Sequence, residues 1–389
     1  MFDHNKIPKS ALEVVLHLKR QGWKAYLVGG CVRDLILGRE PNDWDVATNA
    51  TPEDVMDVFP KTIPTGILHG TVTVIKDGDH IEVTTFRTDG DYKDGRRPES
   101  VRFEDSVEAD LSRRDFTINA IAYDPFENVL VDPFGGQVDI EHGIIRAVGN
   151  PMDRFTEDGL RPMRAVRFAA QLGFEIETET FKAITNTLDV FKKVAKERIQ
   201  AEFTKLVTAK YSTEGVKLLV DSGLSEDISR YLMKPAAVGL DSLSPNLEVR
   251  LTWLGLLPDV LQKLKYSNKT IERVRLLQEL VFTATHMVIH DLFDVRRWVA
   301  MTGPNSEVLE QALEILVHVN VKFVDLVETA HKVMNDPLTV KQLAVNGNDL
   351  KSVGIQGKMI GSTLNELMIA VFKDPSLNTK ESLLKIVNR

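Results

Sequence analysis

The sequence predicts an α+β protein, with a small mixed sheet and a few helices up to about residue 145 and helices alone beyond it. Three observations predict this. Short apolar runs of strand length, separated by Gly, Asp and Pro turn signals, fall in the first part. After it, apolar residues recur at helical spacing, broken near Gly173, Gly223, Pro258, Pro304 and Pro337. The 389 residues are also too many for one compact domain and enough for two to four.

The elements follow in order. Ser10 caps a helix carrying Leu12, Val15, Leu16 and Leu18, and "AYLVGG" is a buried strand stopped by a Gly-Gly turn. "CVRDLILG" is a short helix ending at Gly38, and "DWDVAT" is a second strand. Thr51-Pro52 opens a helix that ends before Pro60. "GTVTVI" and "HIEVTTF" flank "KDGD", whose Asp-Gly suits a hairpin turn. Residues 87 to 100, polar and rich in glycine and charge, read as a loop. "NVLVDPFGGQVDIEHGIIRAV" reads as strand, turn and strand leading out of the head.

Lys plus Arg is 48 and Asp plus Glu is 56, a net charge of −8, which argues against a basic coat for nucleic acid and leaves only a local basic path. The one cysteine, Cys31, excludes an internal disulfide and a Cys-cluster zinc site, as suits a reducing cytoplasm. The N-terminal stretch has no signal-peptide core, and no stretch reaches membrane-spanning length, so a cytoplasmic setting away from membranes is expected.

Asp43 and Asp45 alternate with Trp44 along the second strand, so both carboxylates are expected on one face, where a cation between them relieves their repulsion. Mg²⁺ fits, because it takes one or two carboxylates together with phosphate oxygens and water. Gly29 and Gly30, between a strand and a helix, let backbone N–H groups approach a triphosphate, and Arg33 adds charge one turn later. Glu82 is either a third ligand or a solvated strand position. Arg113, Arg114 and Asp115 precede a segment expected to be helical with Ile118 and Ile121 inward. In "EDGLRPMRAVRFAAQLGF", Asp158 and Arg161 are expected three apart on one helix packed on one side, with Arg164 and Arg167 continuing the row. An aspartate only accepts and an arginine only donates, a pair that fits cytosine and adenine and mismatches guanine and uracil. His286, His290 and Asp291 lack further ligands at metal spacing and are not read as a metal site.

This set of motifs resembles the nucleotidyltransferase superfamily that includes DNA polymerase beta, and more closely the class II tRNA nucleotidyltransferases and bacterial poly(A) polymerases. "LVGGCVRDLILGREPNDWDVAT" and "RRDFTINAIAYD" look like that group's motifs in its order. The resemblance is dense over residues 25 to 205 and thin beyond, and implies a polymerase-beta-like head followed by all-helical neck, body and tail. The divisions expected are 1–145, 146–210, 211–300 and 301–389, with no appended phosphohydrolase domain.

The activity implied is addition of C, C and A to the tRNA 3′ end from CTP and ATP, with Mg²⁺ as cofactor. Asp43 and Asp45 would be metal ligands, and Gly30, Arg33, Arg114, Arg164 and Arg167 would hold the triphosphate. Glu157, Asp158 and Arg161 fill the family's Glu-Asp-x-x-Arg template for the incoming base. Asp132 and Gly136 would mark a hinge, and Glu197, Arg198 and Glu202 would brace the pocket. "GNDLKSVGIQGKMIGSTLNEL" resembles the tail that holds the tRNA elbow, while "LQKLKYSNKTIERVR" reads as a basic helix. No protein partner is evident. The alternatives are a poly(A) polymerase, an enzyme adding only C-C or only A, and an RNA-binding protein on a decayed head. The hinge and the loop at 87 to 100 are expected to refit the pocket from C to A.

Overall fold

Every apolar run expected as a strand in the first part is one, and all but the last of them join the sheet that carries the site. The chain is described from a computed structural model over residues 6–89, 101–229, 232–286, 291–303 and 306–388. It divides into two units, Met1–Ala237 and Val238–Arg389.

The first unit opens with α1 (Lys9–Arg20), β1 (Ala25–Val28), α2 (Gly30–Ile36) and β2 (Trp44–Thr48). Next come α3 (Pro52–Val58), β3 (Thr62–Gly66), β4 (Thr71–Lys76) and β5 (Asp79–Thr85). Thr51 and Asp54 form a capping box with Pro52 at the start of α3, as the Thr-Pro signal requires. Asp77 and Gly78 take positive φ at 53° and 93°, the conformation that joins β4 to β5 as a tight hairpin. Strands β6 (Arg87–Asp89) and β7 (Val101–Phe103) pair antiparallel, so the segment expected as loop begins as a strand. Residues 90 to 100 of that expected loop lie outside the described residues.

After α4 (Val107–Ser112) come β8 (Ala122–Asp124), β9 (Val129–Val131), α5 (Gly136–His142) and β10 (Ile144–Ile145). Two expectations change here. The segment after Arg114 is one 3-10 turn, Thr117–Asn119, rather than a helix, because the chain at once enters β8, although Ile118 and Ile121 are fully buried as expected. The "turn" around Gly136 is the helix α5: the Asp132 carboxylate accepts the N–H groups of Gly136 and Gln137 at 2.7 and 2.9 Å and so starts it.

The seven-stranded sheet runs β3-β4-β5-β2-β1-β8-β9. Its neighbours are antiparallel except β2 with β5, which are parallel. Alternation decides its faces: Trp44, Val46, Val72, Val74, Ile81 and Val83 are buried on one side, against which α1 packs with Ala11, Val14, Val15 and Leu18. The other side of β2 and β5 presents Asp45, Glu82 and Thr84.

The unit is completed by α6 (Pro151–Glu157), α7 (Arg161–Leu172), β11 (Glu175–Ile176), α8 (Thr178–Asn186) and α9 (Leu188–Phe191), then α10 (Lys196–Val207), α11 (Ser212–Asp221) and α12 (Lys234–Ala237). Helix α7 is buried nearly all round, not on one side, since Arg161, Met163, Val166, Arg167 and Phe168 are all inside.

The second unit is helical: α13 (Leu247–Trp253), α14 (Pro258–Lys263), α15 (Asn268–His286), α16 (Leu292–Ala300), α17 (Ser306–Val319), α18 (Val324–Val333), α19 (Gly347–Ser352), α20 (Met359–Lys373) and α21 (Lys380–Val387). One core lies around Leu277, Trp298, Leu313 and Val333, the other around Leu350, Leu367, Val371 and Leu383. The expected basic helix is two, because Lys265, at a φ of 65°, breaks the chain between α14 and α15. Among the described residues no helix is long and apolar enough to cross a membrane.

Candidate active site

The carboxylates come first. Asp45 of β2 stands in register with Glu82 of β5, so the two project from one face of neighbouring strands. Asp43 lies one residue before β2 and is exposed, so the matched pair on the strands is Asp45 with Glu82, and Asp43 joins from the strand's entry. Burial pushes the Asp45 carboxyl up to about 6, against the pull of Arg114, and the negative charges of Glu82 and Asp43 push the same way. Among the described residues no three potential ligands are gathered closely enough to form a ready metal cage. The donor set nonetheless suits a divalent ion that also takes phosphate oxygens and water, because a half-buried carboxylate beside two others gains from a cation at that face.

Gly29 joins β1 to α2 at a φ of 78°, and a Cβ there would lie 2.8 Å from Arg114 Nη1 and 3.8 Å from Asp45 Oδ2. Gly29, rather than Gly30, is therefore the position whose left-handed backbone favours glycine, and a side chain there would displace the Arg114 guanidinium. Its N–H is already given to the Ile121 carbonyl at 3.1 Å, so the sheet uses that donor; Gly30 begins α2, with Arg33 Nη2 3.7 Å from where its Cβ would be. Arg33 itself is buried and donates to Asn119 Oδ1 at 2.7 Å and Asp34 Oδ1 at 3.0 Å.

Asp110, fully buried on α4, holds Arg113 at 2.7 Å and Arg114 at 3.2 Å. Its carboxyl stays below the usual range because the two guanidinium groups outweigh its burial. Sequence reasoning missed Asp110, although its spacing of three and four from the arginines on a short helix was a usable signal. Arg114 Nε is buried and has no hydrogen-bond partner among the described residues.

Asp158 and Arg161 are not on one helix, contrary to expectation. Asp158 ends α6 in an extended conformation and Arg161 begins α7. Gly159 between them passes so close to Val190 that a Cβ would sit 2.8 Å from its carbonyl oxygen. Pro162, in the first turn of α7, was the sequence signal for the break. Both side chains still line one cavity of about 320 Å³ with Asp45, Glu82, Arg114 and Arg164.

Each is held from behind. Arg198 Nη1 and Nη2 donate to the two Asp158 oxygens at 3.1 and 2.8 Å. Arg161 donates to Glu157 Oε2 at 2.6 Å and to the carbonyls of Arg154 and Arg113, both at 2.9 Å. Asp115 accepts from Arg164 at 2.7 Å and from Asn119 at 3.1 Å, and Arg164 keeps the Asp115 carboxyl well below the usual range despite its burial. Arg167 pairs with Glu202 at 2.8 Å, and its guanidinium lies 3.4 Å from the Phe168 ring centroid. Burial lowers Arg167 to about 10, offset by Glu202.

Arg167 thus supports the wall, while Arg114, Arg161 and Arg164 face the cavity. Of the residues expected as a brace, Arg198 pairs with Asp158 and Glu202 with Arg167, and Glu197 is exposed on α10. A Cβ at Gly136 would lie 2.2 Å from the Thr117 carbonyl oxygen, so α5 is pressed against the segment that carries Asp115. His290 lies outside the described residues, and His286 stacks on Phe282.

A family model described as "Poly A polymerase head domain" matches residues 25–146, one described as "Probable RNA and SrmB- binding site of polymerase A" matches 173–233, and "tRNA nucleotidyltransferase domain 2 putative" matches 255–387. The CCA-adding enzyme of Geobacillus thermodenitrificans is 52% identical over 217 residues, 56% of this chain and 54% of that one, so the match spans about half of that relative's length. The CCA-adding enzyme of Bacillus cereus (strain G9842) is 37% identical over 388 residues, 96% of either chain. Among solved structures, the Bacillus stearothermophilus CCA-adding enzyme in complex with CTP superposes with a TM-score of 0.81 at 33% identity, covering 98% of this chain and 97% of that one. The Thermotoga maritima CCA-adding enzyme complexed with tRNA has the same fold, at a TM-score of 0.71 and 20% identity over 98% and 96% of the two chains.

Proposed function

The chain belongs to the family of CCA-adding enzymes, and from that premise we propose that it adds C, C and A in turn to the 3′ end of tRNA, consuming CTP and ATP and releasing pyrophosphate. One observation carries the reading: the in-register carboxylates Asp45 and Glu82 share a cavity with the base-reading candidates Asp158 and Arg161 and with Arg114 and Arg164.

Polymerase-beta-like nucleotidyltransferases use divalent metal; we assign Mg²⁺ to Asp43 and Asp45, with Glu82 beside them. When bound, the ion supplies positive charge that acidifies the acceptor hydroxyl and steadies the leaving pyrophosphate. Arg114, Arg33 and Arg164 draw the triphosphate toward the Gly29 turn, where the missing side chain leaves room for the Arg114 guanidinium beside Asp45. Arg167 acts through Phe168 and Glu202 to keep that wall in place.

Asp158 accepts from the exocyclic amine of C or A, and Arg161 donates to the neighbouring ring nitrogen. Guanine and uracil set donor against donor and acceptor against acceptor, a mismatch costing roughly 1–3 kcal/mol per group. Because Arg198, Glu157 and two carbonyls fix the pair, the same donors and acceptors meet both bases.

The hinge at Asp132 to Gly136 is the element we assign to refitting for the larger base, and the tail, residues 301–389, to the tRNA elbow. The four divisions 1–145, 146–210, 211–300 and 301–389 and a cytoplasmic setting complete the reading. The test offers tRNA lacking its 3′ end, Mg²⁺ and each labelled triphosphate alone and together. Termination after C-C-A supports the proposal. The match to a poly(A) polymerase head favours one rival, which an A-tail would select, while C-C alone, A alone or no addition would select the others.

A further inference from the structure

Most of the charged groups of the cavity already have a part in the proposed transfer reaction. Among the described lining residues, Thr84 is the one neutral polar side chain, and nothing so far uses it. It lies two residues beyond Glu82 on β5, so its hydroxyl is on the carboxylate face, while Val83 and Thr85 on either side are buried behind the sheet. Across the ladder it stands in register with Thr71, and the two Oγ1 atoms are 3.0 Å apart. One hydroxyl donates to the other, which leaves the pair a hydrogen and several lone pairs to offer outward.

The direction of the chemistry says to what. In nucleotidyl transfer the attacking and leaving oxygens lie roughly in line on opposite sides of the α-phosphate. The groups placed for the leaving pyrophosphate, the Gly29 turn and Arg114, lie toward β1, whereas β5 lies on the opposite side of β2. The acceptor must then arrive over β5. A neutral hydroxyl there suits a ribose hydroxyl, which both donates and accepts, and repels neither the sugar nor the charged carboxylates.

We propose that Thr84, oriented by Thr71, binds the 2′-hydroxyl of the terminal ribose of the acceptor RNA strand and seats its 3′-oxygen beside Asp45 and Glu82. This rests on the reading of the site as one that extends an RNA 3′ end. A Thr-Thr pair also stabilises adjacent strands, so the test must separate the two roles.

The experiment uses the full chain with Mg²⁺, CTP and tRNA lacking its C-C-A, ending in either a ribose or a 2′-deoxyribose. Thr84→Val keeps the shape and removes the hydroxyl. Its KM for the ribose-ended acceptor should rise about tenfold, with the KM for CTP unchanged, and Thr84→Ser should restore it. The parent should be about tenfold weaker on the deoxy-ended acceptor, and Thr84→Val should add no further loss, because the contact is already gone. Thr71→Val should give the same pattern, more weakly. Equal losses on both acceptors, a shift in the KM for CTP, or no change would overturn the assignment. If the parent extends neither acceptor, the RNA-extension reading itself has failed, which is a different result from an active parent with an indifferent Thr84.

Discussion

Replacing Asp45 by Asn removes a charge that the fold holds at a cost and keeps the shape. The carboxyl titrates at about 6 in the fold against an ordinary 3.8, because burial outweighs Arg114 and because Glu82 and Asp43 repel it. A folded value above the unfolded one means that the folded state keeps its proton longer. The stability this gives is fully present below pH 3.8 and is lost as pH rises through 6. The full difference amounts to about 3 kcal/mol. Asp45→Asn mimics the protonated form at every pH, so in EDTA it should exceed the parent by about 0.5 kcal/mol at pH 4 and by about 3 kcal/mol at pH 8.

Urea unfolding at the two pH values, followed by circular dichroism, measures the difference. Other carboxylates shared by both proteins cancel in the comparison. Adding Mg²⁺ at pH 8 should stabilise the parent, whose ionised carboxylate gains a partner, more than the variant, and nucleotide addition by the variant should be lost. A variant that is less stable than the parent at pH 8, or a gap independent of pH, would refute the reasoning that Asp45 is a buried charge awaiting a cation.

Arg161→Ala should lose the preference for C and A over U and G more than it loses total incorporation, since about 1–3 kcal/mol of discrimination rests on each donor; competition between labelled CTP and UTP measures it, and unchanged exclusion of UTP would count against the template. Gly136→Ala would put a carbon 2.2 Å from the Thr117 carbonyl oxygen; a loss of about 2–4 kcal/mol in urea unfolding is expected, and a loss under about 0.5 kcal/mol would mean that α5 moves away freely. Asp115→Asn leaves the Arg164 guanidinium without its carboxylate; about 3 kcal/mol of stability should go with it, along with nucleotide affinity measured by CTP titration, and intact affinity would place Arg164 outside the triphosphate site.

Much of this was legible in the sequence because it is local. The Gly-Gly turn, the Asp-Gly hairpin and the Thr-Pro helix start each depend on a few adjacent residues, and each appears where expected. The separation of Asp158 from Arg161 onto different helices was legible too, through Gly159 and Pro162, but spacing alone was given more weight than the breakers. The pairing of Asp45 with Glu82 could not be read, because it is set by the register of β2 on β5, strands separated in sequence by a helix and two other strands. Asp158 with Arg198, and Arg167 with Glu202, are likewise pairs 40 and 35 residues apart.

The acidic balance of the chain is the last thing the structure reinterprets. A net charge of −8 suggested that contact with a polyanion rests on local patches. At the site, acids are spent on arginines: Asp110 on Arg113 and Arg114, Asp115 on Arg164, Asp158 on Arg198, and Glu202 on Arg167. Half-buried guanidinium groups crowded round one cavity would repel each other and one another's neighbours without these partners, and the fold would pay for every one of them in desolvation. The carboxylates therefore make the arginine cluster foldable while fixing each guanidinium in one orientation. A count of charges sees the two kinds cancel; a phosphate entering the cavity meets Arg113, Arg114, Arg161 and Arg164 in its lining, while Asp110, Glu157 and Glu202 lie outside it.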